Sequence, residues 1–74
     1  MDDRLYGLIT EILRVPKSEI SDSLDMEATS TWDSLSHMQL IAAIEEEFGI
    51  ELTAEEIVAM RSVGQIKDVV RSKA

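Results

Sequence analysis

The sequence predicts an all-α protein: a four-helix bundle with a short third helix and a long loop between helices one and two. Three observations carry this. Apolar residues recur at helical spacing in four separate stretches, none of the chain reads as a strand, and helix start and stop residues bracket the periodic stretches. At 74 residues, a single domain over 1–74 is expected, near the lower limit at which a core stands without metal or disulfide.

Asp2 and Asp3 suit the positive end of a first helix. Leu5, Leu8, Ile9, Ile12 and Leu13 follow i, i+3, i+4, i+7, i+8, a single apolar stripe. Pro16 stops it, because the residue before a proline is pushed out of the α region. From about Pro16 to Trp32 there is no steady period. Such a long loop in a small domain is held by its own side chains or is functional, and Ile20, Leu24 and Met26 are the expected pins. Asp22, Asp25 and Glu27 invite a calcium-loop reading, which fails: the glycine at position six and the glutamate at position twelve of such a loop are missing.

The chain turns on Trp32-Asp33-Ser34-Leu35 and the helix this stretch opens, to about Phe48. Asp33 is a good N-cap, and Ser34 becomes the first helical residue. A helix start of this kind is a natural seat for a phosphate, so a serine there is well placed to carry a phosphodiester. At 100° per residue Leu40, Ile41, Ile44 and Phe48 fall together, with Leu35, Met38 and Ala42 adjoining. The arc is roughly 200° wide, suited to two or three neighbouring helices. Ser36, Gln39, Ala43, Glu46 and Glu47 occupy the remaining face, and Ser34 sits at the top of the apolar arc. Gly49 is the expected left-handed C-cap.

Thr53-Ala54-Glu55-Glu56 is a capping box, with Leu52 and Ile57 placed as a hydrophobic staple. It starts a short third helix carrying Ile57, Val58 and Met60. Ser62-Val63-Gly64-Gln65 is a second capping box, opening a last helix with Val63, Ile66, Val69 and Val70 on one face. Lys67, Arg71 and Lys73 lie towards its C-terminal end, where cations are favoured. Gly64 counts slightly against that helix.

Composition narrows function. Fifteen acidic residues against seven Lys and Arg give a net charge of −8, which disfavours nucleic acid and anionic membranes and favours partners with basic patches. With no cysteine there is no staple and no thiol nucleophile. No apolar run approaches the roughly 18 residues of a membrane span, and no signal-peptide pattern opens the chain. A monomer in the cytoplasm, without membrane insertion, is expected.

Asp33-Ser34-Leu35, followed by Ile44-Glu45-Glu46-Glu47-Phe48-Gly49-Ile50, resembles the acyl carrier proteins over nearly the whole chain. The resemblance implies a carrier, not an enzyme. Its cofactor would be 4′-phosphopantetheine, transferred from coenzyme A to Ser34 by a phosphopantetheinyl transferase, with Asp33 and Leu35 as the flanking motif residues. The arm would hold acyl groups as thioesters for acyl-transferring, condensing or ligating enzymes in fatty-acid, lipid or polyketide-like synthesis. Partner docking would involve Trp32, Ser36, His37, Met38, Gln39, Glu45, Glu46 and Glu47. Positions Ser36 and Gln39 are often acidic in fatty-acid carriers and Trp32 often a small residue, so a dedicated pathway is expected.

Other readings of the same residues are a peptidyl or aminoacyl carrier and a small acidic interaction module without a prosthetic group. Peptidyl carriers more often show a Gly-Gly-x-Ser type motif, so Asp33 favours acyl. A hydrolytic Asp33–Ser34–His37 set lacks an oxyanion hole and anything to orient the imidazole, and one histidine makes no metal site. His37 is expected at the surface near the arm. Trp32 is expected to pack over the open end of the bundle.

Overall fold

Four α-helices follow the predicted order in the computed structural model, which describes residues 2–73: α1 (Asp2–Leu13), α2 (Ser34–Phe48), α3 (Ala54–Ala59) and α4 (Val63–Lys73). One 3-10 turn, Lys17–Glu19, lies in the long loop. Among the described residues there is no strand, only an isolated antiparallel bridge between Asp25 and Ser62. Among the described residues no helix is long and apolar enough to cross a membrane.

The core draws on every long element. Leu5, Ile9 and Leu13 of α1 meet Leu40, Ile41 and Ile44 of α2, with Val63, Ile66 and Val70 of α4 and Met60 behind α3. Each large side chain buried in this way contributes about 1.5–3 kcal/mol against the entropy of ordering the chain. The first helix ends earlier than the proline rule requires. Arg14 takes a left-handed conformation, φ 59°, and its amide donates to the Thr10 carbonyl at 3.0 Å, so the turn away from α1 is complete before Pro16.

The long loop is zipped to the junction of α3 and α4. Met26 N–H donates to the Arg61 carbonyl, and Val63 and Gly64 N–H donate to the carbonyls of Leu24 and Asp22, at 2.9–3.0 Å. Ile20, Leu24 and Met26 pack on the core as expected. Gly64 proves to be a fitted residue: a Cβ there would lie 3.2 Å from the Asp22 carbonyl oxygen. Lys67 departs from its expected place near the helix end. Its side chain is buried in mid-α4, and Nζ reaches Asp22 Oδ1 at 2.8 Å and Tyr6 Oη at 3.0 Å. These partners hold its ammonium well above the usual lysine range, the Asp22 hydrogen bond being the largest cause.

Both capping motifs form, with one shift. Thr53 and Glu56 exchange side-chain to backbone bonds as a full box, which also holds the Glu56 carboxyl below its ordinary range, chiefly through the Thr53 amide. At α4, Ser62 Oγ accepts from Gln65 N–H, whereas Gln65 Oε1 accepts from Arg61 N–H, one residue before the box position.

Candidate prosthetic-group site

The N-terminus of α2 is built by Asp33 and Ser36. Asp33 Oδ1 accepts from Ser36 N–H at 2.9 Å, and Ser36 Oγ accepts from Asp33 N–H at 2.9 Å, a complete capping box. Ser36 Oγ also donates to the Thr31 carbonyl at 2.7 Å, which binds the end of the loop to the helix. The Ser36 amide, with help from the Ser36 hydroxyl and the Leu35 amide, holds the Asp33 carboxyl below its ordinary value. Ser36 is therefore an interior residue, 9% exposed. Its hydroxyl, expected on a docking face, is engaged within the cap.

His37 is likewise not at the surface. It is 7% exposed and lies beside the buried Trp32, with ring centroids 6.1 Å apart. Trp32 Nε1–H donates to His37 Nδ1 at 2.9 Å. An indole nitrogen can only donate, so Nδ1 accepts and the proton of the neutral ring is on Nε2. Nε2–H then donates to the Ile57 carbonyl at 2.9 Å. The pair bolts α3 to the head of α2. Trp32 packs at that end of the bundle as expected, and both side chains are buried.

The apolar arc of α2 divides. Leu40, Ile41 and Ile44 go inward, whereas Leu35 and Met38 are 70% and 51% exposed, and Ala42 is exposed while Ala43 is half-buried. Across the gap to α3, Val58 is 69% exposed. It is carried by the short third helix, as expected, with its side chain in solvent. Between them runs a groove of about 240 Å³ lined by Met26, Ser34, His37, Met38, Ile57, Val58 and Arg61. Ser34, itself exposed, stands on this groove.

Of the three glutamates, Glu45 and Glu47 are already engaged. Glu45 Oε2 accepts from Leu52 N–H, tying down the α2–α3 connection. Glu47 Oε2 pairs with Arg4 Nε at 2.8 Å. Glu46 and Gln39 are exposed. Among the described residues no His, Cys, Asp and Glu cluster could hold a metal. Arg61 is a groove residue that sequence reasoning did not single out, and Met26, expected as a loop pin, lines the groove as well. The available signal was charge: Arg61 is the first Lys or Arg after Lys17.

A family model described as phosphopantetheine attachment site matches residues 3–70. The chain belongs to this family. It is also similar to an acyl carrier protein of Thermosynechococcus vestitus, 27% identical over 71 residues that cover 96% of this chain and 88% of that protein. Membership makes it a carrier of the acyl carrier protein type and not a catalyst, with covalently attached 4′-phosphopantetheine as its prosthetic group. It implies work with a phosphopantetheinyl transferase and acyl-handling enzymes. The matched span contains two Asp-Ser-Leu tripeptides, Asp22-Ser23-Leu24 and Asp33-Ser34-Leu35, so the match alone does not choose between the serines.

Proposed function

We propose that this carrier holds its arm on Ser34 and presents acyl groups, as thioesters on that arm, to partner enzymes of a dedicated cytoplasmic pathway. The observation that carries the choice of serine is the contrast between the two tripeptides. Ser34 is exposed at the head of a 15-residue helix, on an apolar groove. Ser23 lies in a turn whose neighbours are committed to structure: Asp22 holds Lys67 and Gly64, and Leu24 takes the Val63 amide. A transferase closing on Ser23 would have to pull these apart.

Attachment requires a free hydroxyl with open space in front of it, and Ser34 fits. In the transfer step Ser34 Oγ bonds to the pantetheine-bearing phosphorus of coenzyme A, the pyrophosphate P–O bond breaks, and the nucleotide bisphosphate leaves. The hydroxyl proton passes to the transferase. The bound group supplies a thiol for thioester exchange. The chain supplies position: α2 is fixed by the Asp33–Ser36 box, and the Trp32–His37–Ile57 bridge fixes α3 beside it. Leu35, Met38 and Val58 form an exposed apolar rim round Ser34 for brief partner contact, with Glu46 as an unpaired acid further down α2. Gln39, exposed and neutral beside this rim, supports a pathway separate from general fatty-acid synthesis.

The test is to incubate the protein with acetyl-coenzyme A and a broad-specificity phosphopantetheinyl transferase, then treat with hydroxylamine. Wild type and Ser23→Ala should gain the acetylated arm by intact mass and lose only the acetyl group. Ser34→Ala should gain nothing. Normal loading of Ser34→Ala would overturn the reading.

A further inference from the structure

The head of α2 is a poorer seat for a phosphate than a bare helix end. Its first-turn amides at Leu35 and Ser36 already face the Asp33 carboxylate, which is held ionised by them. A phosphodiester on the neighbouring Ser34 would add an anion next to that carboxylate, on a chain of net charge −8. The helix dipole is spent on Asp33, so a compensating charge has to come from elsewhere.

One cation stands on the groove. No Lys or Arg occurs between Lys17 and Arg61, so α2 and α3 carry none, and Arg61 is the basic residue lining the groove that Ser34 opens onto. Its backbone is held at three points: the amide donates to the Ala59 carbonyl and Gln65 Oε1, and the carbonyl accepts from Met26 N–H. Its side chain is exposed and forms no ion pair with any described carboxylate, unlike those of Arg4, Lys67, Arg71 and Lys73. Asp25 and Glu27 line a second, polar hollow with Arg61, where Asp25 Oδ1 accepts from the Ala28 amide and neither carboxylate pairs with the guanidinium.

We propose that Arg61 is the anion receptor of the Ser34 groove and holds the phosphodiester of the arm. This rests on Ser34 being the attachment residue. A guanidinium pairs with a phosphate oxygen through directed N–H donors and remains charged at any working pH. Fixed backbone and free side chain suit a cation that must find an anion arriving after folding. Its role is to hold the root of the arm along the Met38–Val58 groove rather than against Asp33. An acyl carboxylate at the far end of the arm offers the same chemistry, and the experiment separates the two sources.

The experiment compares apo and holo forms of wild type and Arg61→Gln, with intact mass first establishing whether Ser34 carries the arm. Because the Arg61 side chain is exposed and unpaired, the variant folds. In urea unfolding at low salt, Arg61→Gln should lower the folded-to-unfolded ratio about two- to fivefold more in the holo than in the apo form, the range of an exposed ion pair. The difference should vanish at about 1 M salt, where the Debye length is about 3 Å. In parallel, the Arg61 Nε–Hε resonance should move on conversion of apo to holo, and stay fixed in Ser34→Ala treated identically.

An arm attached at Ser34 with no coupling and no Arg61 response would overturn the proposal and leave the attachment reading intact. Absence of an arm at Ser34 would overturn both. A response that appears with a malonyl cargo but not with the bare or acetylated arm would assign the anion to the cargo and overturn the phosphodiester assignment.

Discussion

Residue by residue, the site depends on buried side chains that fix the head of α2. His37 is the clearest case, because one neutral imidazole satisfies both the Trp32 indole and the Ile57 carbonyl. His37→Leu keeps an apolar ring-sized volume and strands both partners, at a cost of about 1–3 kcal/mol for each group left unsatisfied. Urea unfolding should show this loss, and the emission of Trp32, the single tryptophan, should change with it. An unchanged midpoint would mean the bridge does not hold α3. Asp33 gives a pH test. Its folded value lies below the ordinary 3.8, so its contribution is complete above that value and drains away as pH falls through the folded one. Asparagine is an equally good cap without the charge. The stability gap between wild type and Asp33→Asn should therefore be constant near neutrality and close in acid; a gap that widens in acid would contradict the assignment.

Among the elements, the two helical glycines make opposite predictions. Gly7 in α1 has open space where a Cβ would go, so Gly7→Ala should gain close to the ~1 kcal/mol difference in helix propensity. Gly64→Ala should gain nothing and lower the thermal midpoint, because the Asp22 carbonyl in its way accepts from the Gly64 amide while Lys67 holds the Asp22 carboxylate. Equal effects would show that the loop yields easily. Gly64 also marks where sequence reading stops. Periodicity and caps located all four helices, and Asp33, Thr53 and Gly49 cap as their chemistry requires. Periodicity could not say which half of a broad arc is core. Met38 and Val58 are apolar and exposed because a groove lies between α2 and α3, and that groove is a product of tertiary packing. For the same reason Ser36 and His37, polar by type, read as surface: their burial is made possible by Thr31, Trp32 and Ile57, partners that no helical wheel displays.

For the whole molecule, charge is the dominant feature. Five ion pairs join described residues, too few to balance fifteen acids, and two of them, Arg4–Glu47 and Arg71–Asp2, are of the exposed kind that contributes little. Self-repulsion should weaken the folded state. The thermal midpoint should rise between low salt and physiological ionic strength, where the Debye length is about 8 Å; a midpoint that falls would mean the local pairs outweigh the net charge. Within this acidity Arg61 is the cation that lines the Ser34 groove. All of this turns on which serine carries the arm. Fragment-ion mass spectrometry of the protein loaded by a phosphopantetheinyl transferase decides it directly: the account predicts one arm, on the peptide carrying Trp32-Asp33-Ser34-Leu35, and an arm found on Ser23 instead would contradict it.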